Sequence, residues 1–116
     1  MSLFIQFELD ELQKSKDEGL NVTGHNKLIP QNGKGNVKGN TTNTDQLIKK
    51  DDDTYKVVET KLSSKTKLST GQNTTKNHVE KGNQMFEVRS NQPTQGLKKG
   101  DKIRVTEFEK RVKYEK

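Results

Sequence analysis

The apolar residues of this chain are too few to be spread evenly, and they are not. Leu, Ile, Val and Phe together number 25 of 116, a share close to the ~20% below which a chain is expected to stay disordered. They gather in short runs: "LFIQFEL", "QLI", "YKVV", "MFEV" and "KIRV". Ordering the backbone costs ~1–2 kcal/mol per residue, so a core this small cannot hold a long chain by itself. A small core with polar loops that order on contact, inside an assembly that supplies further burial, meets that constraint best.

Hydrophobic residues make up 25% of the chain and charged residues 33%, and there is no alanine, cysteine or tryptophan. Alanine is the strongest helix former, whereas Thr, Asn, Gly and Val sit low on the helix scale. A helical bundle is therefore not expected. The fold class expected is mainly β: a small antiparallel barrel or sandwich with long polar loops and an N-terminal arm or short helix. Without cysteine there are no disulfides, thiolate metal sites or cysteine nucleophiles.

Residues 1–18 are expected to form the N-terminal arm or short helix. Leu3, Ile5, Phe7 and Leu9 alternate as in a strand, while Phe4, Phe7, Glu8, Glu11 and Leu12 follow helical spacing. An extended stretch followed by a helical turn or two, closed by Gly19, reconciles them. Residues 19–44 read as a Gly/Asn-rich loop, and 45–116 as the mostly-β domain. Within it, Gln46 to Lys49 and Thr54 to Leu62 flank turn material at Lys50 to Asp53. Val58, Thr60 and Leu62 share one face of that strand, and Tyr55, Val57, Glu59 and Lys61 the other. Residues 63–84 read as polar loop with a weak strand near Leu68. Met85 to Ser90 form a strand with Phe86 and Val88 on one face. After a turn at Gly100-Asp101, Ile103 and Val105 point one way and Lys102 and Arg104 the other. Val112 and Tyr114 then suggest a hairpin folding back. The competing reading is a terminal helix, with Thr106 and Glu109 in capping-box spacing.

The glycine-rich stretch from Gly19 to Asn40 invites a phosphate-loop reading and fails it. Gly19 and Gly24 have the spacing of G-x-x-x-x-G-K-[ST], but His25 and Asn26 stand where Lys and Ser/Thr are needed. Gly33, Gly35 and Gly39 miss G-x-G-x-x-G by one residue. Lys27, Lys34 and Lys38 remain able to follow a nucleic-acid backbone, though no aromatic residue lies between Phe7 and Tyr55 to stack a base. His25 and His78 are too few for a zinc site without thiolates. Asp51 to Asp53 lack calcium-loop spacing. No serine sits in a G-x-S-x-G elbow. The expectation is a protein that is not an enzyme and carries no cofactor and no metal.

The stretch "KKGDKIRVTEF" resembles the Gly-Asp-x-hydrophobic-x-Val turn into a strand found in SH3-like and OB-like small barrels. It spans about ten residues and singles out no one family. The resemblance and a net charge of +6 permit a nucleic-acid-binding barrel, with Lys98, Lys99, Lys102 and Arg104 as phosphate contacts. The leading expectation is different: a structural protein within a larger homo- or hetero-oligomeric assembly, with Leu3, Phe4, Ile5 and Phe7 as contacts. A bacteriophage particle, as capsid accessory, connector or tail component, suits that character. No signal peptide or membrane span is expected, which points to the host-cell cytoplasm or the virion.

Overall fold

The computed structural model describes residues 3–32, 35–37 and 40–114. Along the chain run α1 (Leu3–Asp17), β1 (Asn21–Asn32), β2 (Gly35–Asn36), β3 (Thr42–Lys49), β4 (Tyr55–Ser63), α2 (Thr70–Glu80), β5 (Met85–Val88), a 3-10 turn at Pro93–Gln95, and β6 (Lys102–Tyr114). The strands pair in the order β2-β1-β3-β4-β6-β5, and β5 pairs back onto β1. Five strands thereby close into a ring, and β2 extends one end of β1. Every pairing is antiparallel except β4 with β6. Parallel neighbours need a crossover, and here α2 and β5 supply it. This connectivity, with a helix between the third and fourth ring strands, is similar to that of the OB-fold, a five-stranded Greek-key barrel.

The alternation along the strands sorts side chains into two apolar layers. Leu28, Leu47, Val57, Phe86, Val88 and Val105 fill the interior with no solvent exposure. One residue further along, Ile48 and Val58 point outward, where with Val22 they are covered by Leu12 of α1. β3 and β4 are therefore buried on both faces. The two ends of the ring are closed differently. Val79 of α2 joins the interior cluster at one end. Near the other, the buried Gln95 side chain donates to the carbonyls of Asn21 and Leu47 and accepts from Thr23 Oγ1. A polar plug works there because each of its groups has a partner.

The mainly-β expectation holds, with a ring of strands and a short N-terminal helix. Its details need four corrections. Residues 3–17 form one continuous helix instead of an arm followed by a turn or two, because the helical spacing lays Leu12 and Phe7 on the barrel. Residues 19–44 hold β1, β2 and the start of β3 where loop was expected. Residues 70–80 are helical, with Ser69 and Gln72 forming a reciprocal capping box. Finally, residues 102–114 neither fold back nor coil: β6 is a single strand, and Val112 continues alongside Lys61 of β4. Among the described residues no helix is long and apolar enough to cross a membrane.

Candidate functional site

Three features of the surface carry chemistry or unspent burial: the docked N-terminal helix, a buried carboxyl pair and the basic turn before β6.

Polar contacts hold α1 on the outer face of β1, β3 and β4. The buried Ser15 hydroxyl donates to Gln46 Oε1 at 2.7 Å, and Arg111 Nη1 donates to Ser15 Oγ at 3.1 Å. Arg111 also faces Glu11 at 3.7 Å and Glu109 at 3.3 Å. His25 Nε2 lies 3.5 Å from Glu8, on a residue whose φ of 55° is left-handed. Gly24 lets the helix approach, since a Cβ there would meet Leu12 at 3.0 Å. The helix thereby covers the outer face of β3 and β4, the second and third strands of the ring.

The four proposed assembly contacts separate on this helix. Phe7 is buried, with the Lys113 ammonium 5.9 Å from its ring centre. Leu3, Phe4 and Ile5 are 50%, 38% and 49% exposed, joined by Leu9 at 41%. Phe4 lies on the helix line of Glu11 and Ser15, seven and eleven residues on, which face the barrel. Its exposure means that the first turn of α1 overhangs the barrel edge.

Across the end of the β3–β4 ladder, Asp45 and Glu59 stand opposite one another. Asp45 Oδ2 accepts from the Thr60 amide at 2.7 Å and from Thr60 Oγ1 at 2.8 Å. Glu59 is fully buried, and its Oε2 accepts from Gln72 Nε2 at 2.9 Å. Burial, and then the charge of Asp45, push the Glu59 carboxyl up to about 9, so it stays protonated at neutral pH. Burial and Asp45 likewise raise the Glu8 carboxyl. A proton held on one of two close carboxyls resembles the acid–base pairs of hydrolases. The clefts beside Glu11, Lys67, Gln31, Lys102 and Asn91 are lined by other residues.

Comparison with family models, characterised proteins and solved structures returns no match.

The four basic residues beside Gly100 are not equivalent. Lys102 Nζ donates to Glu87 at 2.7 Å, and Arg104 Nε donates to Gln84 at 2.9 Å. Lys98 and Lys99 are exposed on the turn, where their backbone amides donate to Asp101 and Asn91. Lys102 and Arg104 share the wall of one cleft with Lys49 and Tyr55. In the glycine-rich segment, Lys34 and Lys38 lie outside the described residues, and Lys27 is exposed on β1. Glu87 also accepts from Arg89 and Asn36, and these three donors hold its carboxyl down at about 2. Among the described residues, no three His, Cys, Asp or Glu are grouped to hold a metal ion. Asp51 to Asp53 form the β3–β4 turn, where Asp52 accepts from the Thr54 amide at 3.0 Å.

The buried carboxyl pair was within reach of sequence reading. Glu59 falls on the same strand face as Val57, which marks it for the interior. What was missing was the partner, because Asp45 sits where loop gives way to strand.

Proposed function

We propose that this protein is a non-enzymatic assembly part whose subunits join through the overhanging first turn of α1. The observation that carries this is the spread of Leu3, Phe4 and Ile5. At ~100° per residue, three successive apolar side chains cover more than half the circumference of the helix. A helical turn this apolar is stable when something surrounds it, and Leu3, Phe4 and Ile5 stay 50%, 38% and 49% exposed while Phe7 is buried. The chain also offers a receptor of matching character: a cavity of about 490 Å³ walled by Pro93, Gly96 and Leu97. An overhang on one copy seated in that cavity on the next gives a head-to-tail contact, which builds rings or filaments. Large oligomeric particles, virions included, are built from such contacts.

Light scattering on the eluting protein at micromolar concentration tests this. The full chain should run as an oligomer, and the triple variant Leu3→Ser, Ile5→Ser, Leu9→Ser as a folded monomer. A monodisperse monomer of the unaltered chain would sink the proposal.

The OB connectivity, with net charge +6, favours a second reading as a nucleic-acid-binding barrel. OB-folds take oligonucleotides on the face of their second and third strands; α1 covers that face here, so the contacts fall to Lys98 and Lys99. Such binding would weaken steeply with salt.

A further inference from the structure

From the cleft between α2 and the far half of β6, we infer a binding site for a nucleotide: a phosphate group joined to a flat base. The cavity measures about 410 Å³ and is walled by Lys67, Leu68, Asn73, Lys76, Phe108 and Lys110. That volume lies within the ~300–1,000 Å³ range of small-ligand sites. Three ammonium groups line it and no carboxylate does.

Several cations of β4 and β6 are matched by acids: Lys56 lies 2.7 Å from Glu109, Lys102 lies 2.7 Å from Glu87, and Arg111 lies between Glu11 and Glu109. Of the three cleft lysines, Lys76 meets an acid, Glu80 one helical turn away at 3.7 Å, and Lys110 is held by backbone carbonyls. Three like charges around one cavity repel each other, and a bound phosphate offsets that cost.

The walls are fixed by their own bonds. The bulge where β6 pairs with β4 skips Thr106 and places Phe108 opposite Val57. Phe108 thus turns to the interior side, where it packs against the core from a partly buried position. Lys110 Nζ donates to the carbonyls of Ser64 and Thr66 at 3.2 and 2.7 Å, which holds it at the rim. The capping box at Ser69 pins the loop that bears Lys67 and Leu68. Asn73 Nδ2 donates to the Leu68 carbonyl at 3.2 Å, and its amide oxygen can accept from a base amino group. An aromatic face for stacking beside cations for phosphate is the pairing that nucleotides select. The site shares no residue with the α1 overhang or with Lys98 and Lys99, so it stands or falls separately from both readings above.

The test is titration of the full chain at low ionic strength with three probes: ATP, inorganic phosphate, and a short oligothymidylate. Binding is followed by amide chemical shifts. ATP should bind more tightly than inorganic phosphate and shift amides of Lys67, Asn73 and Phe108. Phe108→Leu should weaken ATP binding about tenfold through lost stacking. The exposed double variant Lys67→Gln, Lys76→Gln should weaken it by at least that much, while Lys98→Gln, Lys99→Gln leaves it unchanged. ATP binding with those losses assigns a free nucleotide, and oligothymidylate binding with the same losses assigns a nucleotide within a strand. Equal affinity for ATP and inorganic phosphate overturns the inference, as does the absence of binding by every probe. Retained affinity in the lysine double variant overturns it too.

Discussion

The Ser15 hydroxyl on α1 and the side-chain oxygen of Gln46 on β3 form a hydrogen bond of 2.7 Å in a fully buried setting. Arg111 completes the contact by donating to the same Ser15 oxygen. One small hydroxyl therefore joins the N-terminal helix to the middle and the end of the barrel.

Replacing Ser15 with Ala leaves the Gln46 amide oxygen without its donor and removes one acceptor from Arg111. An unsatisfied buried group costs ~1–3 kcal/mol. The urea midpoint should fall by a corresponding amount with an unchanged slope. Hydrogen exchange of α1 amides should quicken more than that of β3 or β4. Equal acceleration everywhere would show that the helix does not open separately from the barrel.

The proton on Glu59 makes stability depend on alkaline pH. Its folded value, about 9, lies above the ordinary 4.5, so between these limits the folded state holds a proton the unfolded chain has lost. Stability from this group is complete below about 4.5 and declines as pH rises through about 9. The ceiling on the slope is ~1.4 kcal/mol per pH unit. Glu59→Gln, neutral at every pH and nearly isosteric, should match the parent near pH 4.5 and exceed it at pH 9. Urea unfolding at the two pH values measures the difference. Parallel profiles for the two proteins would refute the protonated assignment.

Glu87 works in the opposite direction. Lys102, Arg89 and Asn36 hold its folded value at about 2, below the ordinary 4.5. Its contribution is present above about 4.5 and is lost as pH falls through about 2. Glu87→Gln should lower the urea midpoint at pH 7 and flatten the decline between pH 4.5 and 2.5. A variant as acid-sensitive as the parent would place the acid response in other carboxylates.

The β3–β4 hairpin and the inward set Phe86, Val88, Ile103 and Val105 were legible because local alternation and turn residues agree there. β1 was not. Asn26 and Thr23 are buried within it and bonded to one another, Asn26 Nδ2 donating to Thr23 Oγ1 at 2.8 Å, so a buried strand looked like polar loop. α2 hid behind Thr and Asn, although "STGQ" from Ser69 to Gln72 is a capping-box signal. The continuation of β6 was out of reach for another reason. Its partner β4 runs parallel with Lys61 opposite Val112, far back in the chain, and nothing local encodes such a pairing. Leu3, Phe4, Ile5 and Phe7 fall on one helix, and only the fold separates buried Phe7 from exposed Leu3, Phe4 and Ile5. The α2–β6 cleft joins residues from three separate segments and had no sequence signature.

The parallel pairing of β4 with β6 also sets the order in which the molecule can form. β1, β3 and β4 can assemble by successive local hairpin contacts, but the ring stays open until residues 102–114 arrive. Until then β4 presents a bare edge of unpaired amides and carbonyls, the kind of edge on which chains aggregate. Closure over so long a loop is slow, in the millisecond-to-second regime of barrels dominated by distant contacts. The last strand in the chain is thus the one that covers the edge of β4.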